Sequence, residues 1–200
     1  MRNLTTREAR LGMLLSTLMA AVGCTLQGSA STASGGSVAS ADRARHGEYL
    51  VSAIGCNDCH TPLKTGPNGP EPDMTRMLSG HPEGFTIQAP PALGTGPWLW
   101  AGAATNTAFA GPWGISYAMN LTPDTNTGLG IWTEDMFVTA LRTGKHMGVS
   151  RPIEPPMPWQ AFRTLSDEDL KSIYAYLRTL KPVANHVPDV QPPAAAADAQ

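Results

Sequence analysis

The apolar positions of this chain fall into three patterns. An unbroken run, Leu11 to Val22, follows Arg2, Arg7 and Arg10 near the N-terminus. Helical spacing then appears three times. Asp42 to Ile54 predicts a first helix with Asp42 as its cap and Tyr49, Leu50, Ala53 and Ile54 on one face. Thr133 is a good cap for a second, in which Met136, Phe137, Ala140 and Leu141 share a face and Gly144 is the stop. Ser166-Asp167-Glu168-Asp169 opens a third like a capping box. There Leu170, Ile173, Tyr174, Leu177 and Leu180 recur at helical spacing, and Pro182 ends it. The third pattern is an absence of period. Residues 61–115 hold nine Pro and nine Gly, which excludes long regular elements.

Composition changes this picture little. Hydrophobic residues make up 42% of 200, enough for one compact domain with tails. The formal charge is −2, and no basic patch points to nucleic acid. Aromatics matter more. Gly-Pro-Trp occurs at 96–98 and at 111–113, with Trp100 and Phe109 between, on short strands or a hairpin. So many Trp are poor solvated residues, so the segment is expected to cover a buried site and restrict water. His81 within it reads as a surface or turn histidine.

The chemistry concentrates in Cys56-Asn57-Asp58-Cys59-His60. Two thiols one turn apart can each add across a porphyrin vinyl group, and the following histidine can ligate the iron. One covalently attached haem c, held by Cys56, Cys59 and His60, follows. A zinc site would need a second ligand pair, a thioredoxin-like pair would need alternating strands and helices, and a disulfide would leave His60 without a purpose.

A sixth iron ligand is sought among six later methionines: Met74, Met77, Met119, Met136, Met147 and Met157. Methionine is a common core filler. Met157 stands apart in Pro155-Pro156-Met157-Pro158-Trp159, where prolines on both sides stiffen the backbone and fix where the sulfur points. Arg142, Lys145 and His146 gather at one helix end, as solvated charges favoured by the dipole or as contacts for haem propionates.

The N-terminal arrangement, a positive segment then about a dozen apolar residues, is that of an export signal and too short for a span of ~20 residues. Ala21-Val22-Gly23-Cys24 resembles a bacterial lipoprotein box, so residues 1–23 are read as signal peptide and Cys24 as the lipidated residue. Residues 24–41, rich in Ser, Gly and Ala, form a flexible tether. The alternative is cleavage at a later site such as Ser40-Ala41, with Cys24 discarded. The haem-binding domain is expected to span 42–187, and the Pro/Ala-rich tail 188–200 is expected to be disordered.

These residues together resemble the class I cytochrome c family. They are most similar to exported cytochromes and cytochrome subunits associated with bacterial alcohol and gluconate dehydrogenases. Besides the haem motif, the matching stretches are Asn120-Leu121-Thr122-Pro123-Asp124, Trp132-Thr133-Glu134, Met157-Pro158-Trp159 and Leu165-Ser166-Asp167-Glu168-Asp169-Leu170. The resemblance implies an all-α fold whose first and last helices cross with Gly47 near Tyr174. It also implies His60 and Met157 as axial ligands. Relative to that fold, this chain carries a long Pro/Gly/Trp-rich insertion after the haem motif.

The expected function is that of a membrane-tethered mono-haem carrier, not an enzyme, on the periplasmic side of the cytoplasmic membrane. It would pass single electrons from a dehydrogenase towards a terminal oxidase or another cytochrome. The rival reading is a haem enzyme or gas sensor with an open sixth iron position.

Overall fold

The computed structural model describes residues 33–87 and 97–193. Cys24 and the signal read at 1–23 lie outside them. Helix α1 runs Ala33–Ala53, so it starts nine residues before Asp42 and takes in part of the stretch read as a tether. Gly55, with φ 76, breaks the chain direction, and the five-residue α2 (Cys56–His60) follows.

Helix α5 (Asp167–Leu177) crosses α1. Gly47 makes the crossing possible: a Cβ there would lie 1.8 Å from the Ser172 carbonyl oxygen and 2.9 Å from the Tyr176 Cβ. The glycine therefore meets Ser172 and Tyr176. Tyr174, the expected neighbour, instead donates its hydroxyl to the Trp132 carbonyl at 2.5 Å. Val51, Leu170, Ile173 and Leu177 are buried between the layers. Polar pairs close the edges: Arg43 with Glu168 at 3.3 Å, and His46 with Asp169 at 2.7 Å.

Helix α3 (Glu134–Thr143) follows the sequence pattern closely. Thr133 accepts from the Met136 amide, Gly144 ends the helix at φ 69, and Phe137, Ala140 and Leu141 face the core. The capping box at Ser166 and Asp169 forms on α5 as well. Helix α5 stops at Leu177, short of Pro182, and Arg178 turns to donate to the Leu129 and Gly130 carbonyls. A one-turn helix α4 (Trp159–Phe162) lies between α3 and α5 in the chain.

The all-α expectation is corrected between α2 and α3, where two small antiparallel sheets form. Strands β1 (Leu63–Gly66) and β2 (Gly69–Pro72) make a hairpin. Strands β3 (Ala101–Gly102), β4 (Ala108–Gly111) and β5 (Gly114–Tyr117) make a three-stranded meander. Two-residue loops, Pro67-Asn68 and Pro112-Trp113, close the two hairpins, and Gly69 at φ 116 and Gly114 at φ 95 open the returning strands.

The described start of the tail contacts the sheet. Ile115 and Gln191 exchange backbone hydrogen bonds of 2.8 and 2.9 Å, so Gln191 to Pro193 lie against β5. Two buried asparagines hold the chain leading there. Asn120 donates to the Val183 carbonyl. Asn185 donates to the Ser79 and His81 carbonyls and accepts from Arg76 and the Glu83 amide.

Candidate haem site

Between the helical layer and the β4–β5 hairpin lies a largely apolar cavity of about 430 Å³. Its size falls within the range of cofactor pockets, roughly 300–1,000 Å³. Cys56, Cys59 and His60 from α2 line it, and so does Met157 from the proline-flanked loop. Core residues such as Leu129, Phe137, Ile173 and Leu177 form much of the wall.

His60 is 7% exposed and its Nδ1 lies 2.8 Å from the Met119 carbonyl oxygen. A carbonyl can only accept, so Nδ1 carries the proton and Nε2 keeps its lone pair. Burial pushes the His60 pKa down, with the Met119 carbonyl opposing, so the ring is neutral. A neutral imidazole with its tautomer fixed in this way is a prepared metal ligand.

Both cysteines are free. Burial pushes the Cys56 thiol up to about 12, and the charges of Asp58 and Cys59 add to the rise. Cys59 rises for the same leading reason, with Asp58 beside it. The pair therefore stays as thiols near neutral pH. The donor set (two free thiols, one neutral imidazole, one thioether and an apolar slot) suits a haem. Among the described residues, no cluster of three or more His, Cys, Asp or Glu is arranged to hold a bare metal ion.

Of the six methionines, Met119 and Met157 line the cavity. Met119 is committed through its carbonyl to His60. Met77, Met136 and Met147 pack against the hydrophobic core, and Met74 is 61% exposed.

The Trp-rich segment divides. Phe109 and Trp100 reach the cavity wall, edge to face with ring centroids 5.7 Å apart. Trp113 turns inward to donate its Nε1 to Ser116 Oγ at 3.2 Å. Trp98, however, is 75% exposed, contrary to the expectation that these rings would be covered.

His81 is likewise not at the surface. It is fully buried, its Nε2 donating to the Phe85 carbonyl at 2.8 Å and its Nδ1 facing the Thr107 hydroxyl at 2.9 Å. Both nitrogens are thereby used.

The basic cluster separates too. Arg142 pairs with Asp167 at 2.6 Å and also donates to the Arg163 carbonyl. His146 reaches the cavity wall, edge-on to Trp132. Its pKa is lowered by burial first and by Arg151 second. Arg151 also lines the cavity and was not singled out in the sequence, because nothing local distinguishes a loop arginine that folds back on a site.

Comparison with known proteins gives a consistent class. No family model matches the chain. It is 32% identical over 148 residues to the fructose dehydrogenase cytochrome subunit of Gluconobacter japonicus, covering 74% of this chain and 23% of that protein. It is 30% identical over 152 residues to the cytochrome c subunit of the quinone alcohol dehydrogenase of Gluconobacter oxydans, covering 74% and 24%. It is 38% identical over 141 residues to the gluconate 2-dehydrogenase cytochrome c subunit of Pantoea cypripedii, covering 70% and 24%.

The chain is thus similar to a cytochrome c, and the group this class implies is haem c. More particularly, it resembles the cytochrome c subunits of bacterial fructose, alcohol and gluconate dehydrogenases. The expectation that it is not itself an enzyme agrees with relatives that are named as cytochrome subunits. The chain spans about a quarter of the length of these relatives.

Proposed function

We propose that this chain is a mono-haem electron carrier that accepts electrons from a dehydrogenase and passes them towards a terminal oxidase or another cytochrome. Cys56 and Cys59 would hold the haem through thioethers, with His60 and Met157 as axial ligands. The single observation that carries this reading is His60: buried, neutral, its Nδ1 spent on Met119, on the wall of a cavity that two free thiols and Met157 also line. The haem supplies a one-electron iron couple, which a Met/His ligand pair places at raised potential. The protein's own residues bind it, orient the imidazole and exclude water from it. None does acid–base or nucleophilic work.

The export signal at 1–23 and lipidation of Cys24 belong to the same proposal, as does a place on the periplasmic face of the cytoplasmic membrane. No helix among the described residues is long and apolar enough to cross a membrane. The dehydrogenase donor is supported by the relatives' names, all cytochrome subunits of dehydrogenases.

Intact-mass analysis of the protein purified from a membrane fraction tests the assignment. The expected mass is that of the chain beginning at Cys24, plus lipid and plus one haem that survives denaturation. Cys56→Ala together with Cys59→Ala should lose the haem on denaturation. A haem that dissociates freely from the unmutated chain would refute covalent attachment, and a mature chain lacking Cys24 would refute the anchor.

A further inference from the structure

The segment carrying Met157 is poor in hydrogen-bond donors. Pro155, Pro156 and Pro158 have no backbone N–H, so the segment must be tied to the body of the protein largely through its carbonyls. On its N-terminal side, the Ile153 amide donates to the Gly144 carbonyl at 2.8 Å. On its C-terminal side, the Met157 carbonyl accepts locally from the Trp159 amide at 2.9 Å. Between these, the described residues supply one long-range hydrogen bond: Ser116 Oγ on β5 donates to the Pro155 carbonyl at 2.5 Å.

Ser116 is built for that contact. It is 6% exposed and sits on the cavity wall. Trp113 Nε1 donates to its oxygen at 3.2 Å, which occupies a lone pair and leaves the hydroxyl proton to be given away. The competing acceptor, the Phe109 carbonyl opposite it in the β4–β5 register, is at 3.4 Å, much the poorer partner. The prolines make the segment stiff, so fixing the Pro155 carbonyl also fixes Met157 two residues on.

We propose that Ser116 is a positioning residue for the sixth iron ligand: through the Pro155 carbonyl, the β4–β5 hairpin holds the Met157 sulfur in place. The inference rests on the reading of Met157 as that ligand. It gives the sheet insertion a task, since the hairpin then does more than cover the cavity. Trp113, by orienting the Ser116 hydroxyl, acts one step further out.

The test uses the haem-loaded full chain and three variants: Ser116→Ala, Ser116→Thr and Met157→Ala. Two readouts report ligation independently of electron-transfer activity. They are the sulfur-to-ferric-iron charge-transfer band and the rate at which carbon monoxide adds to the reduced iron. Loss of one well-formed hydrogen bond should let the sulfur leave roughly fivefold to tenfold more often. S116A should then weaken the band and take up carbon monoxide faster by that factor, while S116T, which keeps the hydroxyl, restores both. M157A should lose the band altogether.

Trp113→Phe keeps an aromatic ring but removes the N–H. It should move both readouts the same way by a smaller factor, and it carries the test should S116A fold poorly. If M157A loses the band while S116A and W113F match the unmutated protein, the positioning role is wrong and the ligand stands. If M157A leaves the spectrum unchanged, the ligand assignment falls and the inference with it.

Discussion

The helical layer and the sheet insertion serve the same cavity by different physics. Helices α1, α3 and α5 are joined by apolar packing that tolerates almost no added volume, as at Gly47 against Ser172. The insertion and tail are held by buried polar side chains, Ser116, Asn120 and Asn185, each satisfying backbone carbonyls of irregular chain. Of these, Ser116 reaches the Met157 segment. A packed seam fails all at once when it fails. A network of single hydrogen bonds can loosen piecemeal, so the insertion should be the more labile region.

The largest effect should come from the seam. Gly47→Ala forces the crossing apart and should cost about 3 kcal/mol or more, read as a lowered denaturant midpoint. Asn185→Ala should come next, at about 2–3 kcal/mol, because it leaves the buried Ser79 and His81 carbonyls and the Glu83 amide unpaired. If the comparison is right, Asn185→Ala also speeds hydrogen exchange in β4, β5 and the tail more than in α1 or α5. Uniform exchange across both regions would break it.

Gly114→Ala is expected to cost about 1–2 kcal/mol, since a Cβ there would lie 1.9 Å from the Gln191 carbonyl at a φ of 95. It should detach the tail from β5, making residues 188–193 accessible to protease while α5 stays protected.

The smallest effect is one of pH. Burial lowers the His81 pKa below its ordinary 6.5, with the Phe85 carbonyl opposing. The unfolded chain therefore binds the proton more readily than the folded one. Stability from neutral His81 is full above pH 6.5 and declines as pH falls below it. His81→Gln should flatten that decline in chemical-denaturation curves taken between pH 7 and pH 5.

The same division decides what could be read in the sequence. The α3 and α5 starts were legible because caps and apolar spacing are local, carried by Thr133, Ser166 and Asp169 with Phe137, Leu170 and Ile173. The haem motif is local in the same way: five consecutive residues carry both thiols and the imidazole. The sheets were not, because strands of two to four residues are too short to show alternation and Pro and Gly read as loop. His81 looked like a turn histidine because its partners, Thr107 and the Phe85 carbonyl, meet it only in the folded chain. Asn185 carries no local signal either, and its partners lie about a hundred residues away. Nor does any local signal mark Gln191, which pairs with Ile115 on the open edge of β5.

The central claim is that the iron is closed on both faces, by His60 and by Met157. It is tested most directly by the visible spectrum of the reduced, haem-loaded protein before and after carbon monoxide is added at neutral pH. An unchanged spectrum over minutes is the result predicted for a carrier. Rapid and complete formation of a carbon monoxide adduct would contradict it, and would point instead to a haem enzyme or gas sensor with an open sixth position.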